Sequence, residues 1–286
     1  MFASPQLAAR VDIAEGRLCA VIARAVGDRF PEYRPCVFKL SGGVAVFAGA
    51  HSPSNKMIGV GFEEQPGDRD LSAVESAFDE RVAALQGEIS TLADPGLHAR
   101  LVARGYQPRG FENVLGHPLS TTVSPSVDHI RIDRVEPGDL AEWAEVVVTA
   151  FSHPDSGGVG GDAIPLDDEL RKWFDITMRV PGFEGFLARI DGQIVGGGSL
   201  RIDEGVAQFC GASTLPAFRR RGVQTALLHH RLAFARTAGC DIAVVTTQPA
   251  SKSQMNVQRE GFQLLYARQL LIRNPRPAAA AVDDEI

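Results

Sequence analysis

From His129 to Arg273 short apolar runs and amphipathic stretches alternate in one order, and that order constrains the fold more than any other feature of the chain. "HIRIDRV" reads as a strand. "EPGDLAEWAEVVVTAF" follows, with Pro137 near its start and apolar residues at helical spacing (Leu140, Trp143, Val147, Phe151). A loop, "SHPDSGGVGGDAIP", leads to "LDDELRKWFDITMRV", a second helix whose first turn is acidic, as the helix dipole favours. "GFLARI" and "QIVGGGSLRI" are strands joined at Asp191-Gly192, a hairpin signal. "VAQFCGAST" is a further strand, "QTALLHHRLAFARTAGC" a helix ended by Gly239, "DIAVVTT" a buried strand and "SKSQMNVQRE" a short helix. "FQLLYARQLLIR" is expected to close the sheet. The order β-α-α-β-β-β-α-β-α-β predicts an α/β fold, a mixed sheet covered by helices.

The N-terminal part echoes that order. "GGVAVFAG" and "MIGVGF" are strand-like, "LSAVESAFDERVAALQG" is helical and "EISTL" is a strand. "GLHARLVARGYQPRGF" then parallels "KSQMNVQREGFQLLYA", with Gly105-Tyr106-Gln107 matching Gly261-Phe262-Gln263. An ancient internal duplication accounts for this; so does the outline that any two α/β units share. "HPLSTTVSPSVDH" is rich in Ser, Thr and Pro and reads as a linker. The expected division is a first unit over 1–120, a linker over 121–129, a second unit over 130–273 and a frayed tail over 274–286.

Composition narrows the function classes. The 286 residues include 44% hydrophobic and 22% charged residues, ordinary for a globular chain. Lys and Arg number 12 against 14 acids in residues 1–120, and 17 against 21 in the remainder, so neither part has the basic excess of a duplex binder. Cys19, Cys36, Cys210 and Cys240 follow no zinc or redox spacing, and no metal is expected. Cys210 and Cys240 sit inside apolar runs and read as small core residues in a reducing cytoplasm. "MFASPQLAARVDIAEGR" has no basic region followed by an apolar core, and no run of about 18 apolar residues occurs, so neither a signal peptide nor a membrane span is expected.

Within a chain of net charge -6, "LPAFRRRGVQTALL" gathers Arg219, Arg220 and Arg221 immediately before a helix. The first N–H groups of a helix lack intrahelical partners and carry the positive end of its dipole, so they attract an anion. Gly222 permits positive φ and close backbone approach, and arginines supply forked donors suited to phosphate oxygens. A pyrophosphate fits such a site; a solvated basic turn is the plainer alternative.

A strand ending in "GAST", a proline, an aromatic and then R-x-x-G before a long helix resembles the acetyl-CoA loop of the GNAT (GCN5-related N-acetyltransferase) family, whose signature is Q/R-x-x-G-x-G/A. Arg219 and Gly222 occupy the first and fourth positions; Gln224 departs from the preferred Gly or Ala. The resemblance covers about residues 130–273 and implies two GNAT-like units, the second active and the first degenerate in cofactor binding. Before the helix of the first unit lies "EEQPGDRD", whose acids would repel a pyrophosphate. The resemblance further implies that Ser213, Thr214 and Leu215 meet the pantetheine arm of acetyl-CoA. It assigns Arg221, Gly222, Val223, Gln224, Thr225 and Ala226 to the pyrophosphate, with Asn256 a further cofactor contact or a surface residue. The implied activity is acetyl transfer from acetyl-CoA to a primary amine; a non-catalytic acyl-CoA-binding regulatory module is the alternative.

No catalytic residue is assigned. The position of the family's usual tyrosine acid holds Val257, and "VAQFCGAST" contains no acid. Glu204, Cys210, His153, His229, His230 and Tyr266 each have a simpler structural or surface reading than a catalytic one. The loop "SHPDSGGVGGDAIPLDDE", with four glycines and five acids, suits either a cationic amine or plain solvent.

Overall fold

The computed structural model describes residues 2–50, 52–120, 129–153 and 168–276. Most of the acidic loop after His153, the linker over 121–128 and the end of the tail lie outside the described residues. The N-terminal part runs α1 (Pro5–Arg29), β1 (Cys36–Leu40), β2 (Gly43–Phe47), β3 (Lys56–Ile58), α2 (Asp68–Asp79), β4 (Leu85–Ser90), α3 (Pro95–Ala103) and β5 (Gln107–Pro118). The C-terminal part runs β6 (Arg131–Arg134), α4 (Leu140–Phe151), α5 (Asp168–Thr177), β7 (Phe183–Ile190), β8 (Gln193–Asp203), β9 (Val206–Thr214), α6 (Val223–Thr237), β10 (Ile242–Thr247), α7 (Lys252–Arg259) and β11 (Gln263–Arg273). The second series is the order expected from the sequence. The first contains two elements beyond those expected, α1 and β1. α1 starts at an N-cap, Ser4, whose Oγ accepts from the Leu7 N–H at 3.1 Å, with Pro5 in the first turn. Its apolar stripe is interrupted by Asp12 and Gly16, both buried. A Cβ on Gly16 would stand 2.9 Å from Val44 Cγ2, so glycine lets the helix lie close on β2.

All strands join one mixed sheet in the order β1-β2-β3-β4-β11-β5-β10-β9-β8-β7-β6. The expectation that β11 closes the sheet is corrected: it lies inside, between β4 and β5. The two parts have exchanged their last strands. β11 pairs antiparallel with β4 (Arg268↔Ser90 to Arg273↔Leu85), and β5 pairs antiparallel with β10 (Asn113↔Thr247 to Pro118↔Ile242). β3–β4 and β9–β10 are the parallel pairs, each of three residues. Gly105 and Gly261, matched in the sequence, both have positive φ (99° and 90°), and Tyr106 and Phe262 are both buried. These paired features are what an internal repeat produces.

Glycines sort the layers. A Cβ on Gly197 would meet Trp143 and Val147 of α4, while one on Gly196 or Gly198 would meet Val223 or Arg231 of α6. Successive strand residues face opposite ways, so α4 and α6 cover opposite faces of β8. α1 shares the α4 face, where Arg201 Nη1 donates to Ala14 O at 3.1 Å. Beneath α1 lies a buried ionic cluster that ties both parts together. Arg268 is fully buried and meets Asp12 and Glu15 at 2.7 Å and Glu88 at 3.3 Å; Lys56 meets Glu88 at 2.6 Å and Glu15 at 3.1 Å. Burial pushes Asp12 up to about 6, against the pull of Arg268. Burial opposes ionisation of Glu15 as well, but Arg268 and Lys56 outweigh it and hold Glu15 at about 2. Tyr266 donates to Asp12 at 2.5 Å, which makes it a packing residue of this cluster.

Candidate active site

β9 and β10 pair only from Val206↔Ile242 to Gln208↔Val244. Beyond that both strands continue but separate, and a cavity of about 380 Å³ opens between them. Its walls are Cys210, Gly211 and Ala212 of β9, Val245 and Thr246 of β10, and residues of α6 and α7. The β9 wall is irregular: Gly198 pairs with Ala212 but Ser199 with Cys210, so Gly211 bulges out without a partner on β8.

The arginine loop stands at one end of this cavity. Thr214 is followed by a single 3-10 turn at Pro216–Phe218, Arg220 has φ 61° and Gly222, with φ 84°, is the N-cap of α6. Glycine supplies no side chain to cap the helix, and the Ala226 N–H returns to Gly222 O at 2.9 Å. The amides of the first turn are thereby left for an external acceptor, as anion binding requires. α3 and α7, by contrast, are capped by Asp94 and Ser251.

The eleven residues expected at the cofactor are placed differently. Gln224, Thr225 and Asn256 line the cavity. Gln224 Nε2 donates to Thr214 Oγ1 at 3.1 Å, so this departure from the family signature braces the strand end. Ser213, Thr214, Val223 and Ala226 are buried; Val223 and Ala226 fill the core and face a ligand, if at all, through backbone. The Leu215 N–H is bonded to Val195 O at 2.9 Å and belongs to the sheet. Among the arginines, Arg219 turns away from the helix start: it donates to Thr214 O at 3.4 Å and to the carbonyls of Ala150 and His153 at the end of α4. A cation there complements the C-terminal end of the α4 dipole. Arg221 lies over the Phe218 ring, 5.4 Å from its centroid, and Gly222 separates it from the first helical turn.

Residues considered for catalysis are also placed. Val257 is buried in the core beside Phe262. Burial pushes the Cys210 thiol up to about 12, so it stays protonated, unlike an activated nucleophile. Glu204 is exposed at the β8–β9 turn and paired with Arg17 at 2.6 Å. His153 is exposed, its Nδ1 against Thr149 O at 2.8 Å. His230 packs edge-on against Phe186. His229 sits 2.6 Å from Glu260, which lines the cavity. Arg231 was not singled out in the sequence, yet it forms part of the cavity wall. The available signal was its position in the apolar stripe of α6 between Leu227, Leu228, Leu232 and Ala235, where a charge needs a reason. Among the described residues no group of three or more His, Cys, Asp or Glu could hold a metal ion, and no helix is long and apolar enough to cross a membrane.

Residues 150–262 match the model of the acetyltransferase (GNAT) family, a span that contains the arginine loop and every wall of the cavity. No curated protein matches the chain. Solved structures do. A GCN5-related N-acetyltransferase from Kribbella flavida has a TM-score of 0.60 at 19% identity, covering 89% of this chain and 95% of that one. A GCN5-related N-acetyltransferase from Sphaerobacter thermophilus has a TM-score of 0.57 at 17% identity, covering 97% and 96%. A tandem GNAT protein from the clavulanic acid biosynthesis pathway has a TM-score of 0.60 at 12% identity, covering 90% and 89%. At these identities the likeness is one of fold, and it extends over both parts of the chain. Family match, element order and fold agree: residues 150–262 form a domain of the acetyltransferase (GNAT) family, in a chain whose fold is that of solved GNAT structures.

Proposed function

We propose that this chain is an N-acetyltransferase that moves an acetyl group from acetyl-CoA directly to a primary amine, with 130–273 as the acting unit and 1–120 as a unit without a cofactor of its own. One observation carries the reading: the cavity between the parted strands β9 and β10 ends at a helix N-terminus that no side chain caps. The helix end and the exposed arginines suit the pyrophosphate, and the cavity suits the pantetheine arm and the thioester. Gln224, Thr225 and Asn256 are the side chains in reach of that arm. Transfer to a neutral amine places a developing negative charge on the thioester oxygen, which donors fixed in the cavity wall would stabilise. With Cys210 held as a thiol, direct attack within a ternary complex is favoured over an acetyl-enzyme.

Calorimetric titration with acetyl-CoA, followed by a screen of amine acceptors for CoA-thiol release, tests this. One saturable site and acceptor-dependent thiol release are expected; no binding overturns the reading. The buried, apolar Val257 where the family commonly has its tyrosine acid favours a second reading, an acyl-CoA-binding regulatory module. Tight binding without thiol release from any amine would select it.

A further inference from the structure

Arg231 is buried (4% exposed), and among the described residues no acid stands beside it. Its Nε donates to Leu227 O at 3.2 Å, and Nη1 to Ser199 O at 3.0 Å and to Cys210 O at 3.5 Å. All three acceptors are neutral carbonyls. The guanidinium lies against Gly198, where a Cβ would stand 3.5 Å from its Cζ, and its Cζ is 4.6 Å from the Phe209 ring centroid. Nη2 makes no hydrogen bond among the described residues, and Arg231 is part of the cavity wall beside Cys210, Gly211 and Ala212.

The described residues around it leave the charge uncompensated. From α7, Glu260 faces the cavity but is joined to His229 at 2.6 Å, and Lys252 adds a second cation. The thiol of Cys210 is neutral, as derived above. Other buried arginines of this chain are treated differently: Arg268 has Asp12, Glu15 and Glu88, Arg273 has Asp79, and Arg201 has Asp203. Removing a cation from water without a counter-charge is costly, and a desolvated charge facing a cleft marks a candidate functional site. That partner is not the pyrophosphate. Arg231 is eight residues into α6 from Val223, about 12 Å along the axis from the helix start where the phosphates belong. It lies instead beside the β9 bulge, toward the reacting end of the cavity.

We propose that Arg231 binds a carboxylate, so that one substrate of the proposed transfer carries a carboxylate group close to the reacting atoms. That group belongs either to the acyl chain, which makes the donor a dicarboxylic acyl-CoA, or to the acceptor, which makes it an amino acid. This rests on the acyl-CoA-dependent transfer proposed above and specifies its substrate class; a carboxylate on the donor would put a dicarboxylic acyl group in place of acetyl.

The full-length protein tests both sources. One arm titrates acetyl-CoA and succinyl-CoA without acceptor; the other measures kcat/KM for α-amino acids and for their amides, at fixed acetyl-CoA and, in parallel, at fixed succinyl-CoA. The carboxylate-bearing member of one pair should be preferred roughly tenfold or more, because a buried donor left unpaired discriminates strongly. Arg231→Met should collapse that ratio, and Arg231→Lys should retain part of it. A preference in the first arm places the carboxylate on the donor, and one in the second places it on the acceptor. Binding of the CoA esters with no preference in either arm overturns the proposal and leaves the acyl-CoA reading intact, as does a preference that survives in Arg231→Met. If Arg231→Met fails to fold, the wild-type ratios and Arg231→Lys decide. Failure of every CoA ester to bind overturns both readings.

Discussion

The helices α2 and α6 hold equivalent places in the two parts of the chain, yet their N-termini face opposite situations. Both are capped by a glycine that offers no side chain, Gly67 and Gly222. At α6 the first turn carries no acid and arginines precede it. At α2 the first turn contains Asp68 and Asp70, and the Asp70 carboxylate sits against Gly67, where a Cβ would be 3.1 Å from Oδ2. The anion at α2 is thus the protein's own. The gap is closed as well. Asp94 N donates to Gly61 O at 2.7 Å, which draws the loop after β3 onto the start of α3. Arg100 reaches Asp68 at 2.7 Å, and Arg104 holds Asp68 at 3.1 Å and Glu75 at 2.8 Å. Across the matching gap, His229–Glu260 joins α6 to α7 and the cavity remains. A repeated backbone plan therefore does not carry a repeated function: a few acids and arginines decide whether a helix start is filled from within or left for a ligand.

The two parts are expected to stand or fall together, and Arg268→Met challenges that most severely. It leaves Asp12 buried without its cation, with Glu15 and Glu88 held by Lys56 alone, and should cost about 3–5 kcal/mol. Because the last strands are exchanged, urea unfolding is expected to shift as a single transition. Two separated transitions would show that the parts fold independently.

Gly222→Glu probes the open helix start. It places a carboxylate where the phosphates belong and should weaken acetyl-CoA binding by roughly two orders of magnitude, while the left-handed φ costs the fold about 1–2 kcal/mol. Calorimetry on the folded variant measures the first effect and urea denaturation the second; unchanged affinity would remove the loop from the cofactor site. Titration of the wild type should give one acetyl-CoA site per chain. A second site that persists in Gly222→Glu would show that the α2 end is not closed.

Glu112 on β5 sharpens the role of the shared cluster. Burial, then Glu88, raises it from an ordinary 4.5 to about 7. A carboxyl whose folded pKa is raised takes up its proton more readily in the folded state, so its contribution falls as pH rises from about 4.5 to 7. Glu112→Gln should flatten the stability profile over that window and add on the order of 1 kcal/mol at pH 7. A profile steepened by the substitution would contradict this. Cys210→Ala should have the smallest effect, retaining turnover within about an order of magnitude, and intact-mass analysis after acetyl-CoA alone should find no acetyl on Cys210. An acetyl mass that acceptor discharges, with activity lost in the alanine variant, would make Cys210 the nucleophile.

Local chemistry made much of this molecule readable from its residues alone. Hydrophobic period, hairpin dipeptides and cap residues are properties of neighbours in sequence, so the ten elements from β6 to β11 and the glycine at the start of α6 could be placed without coordinates. α1 escaped because buried Asp12 and Gly16 interrupt its apolar stripe, and both make sense only against Arg268 and β2. The interior position of β11, the exchange with β5, the closing of the α2 end and the unpaired charge of Arg231 were decided by the tertiary structure. Each depends on groups far apart in the chain: strand pairing is set by the surface a strand finds, and a charge is satisfied or left waiting by what packs around it.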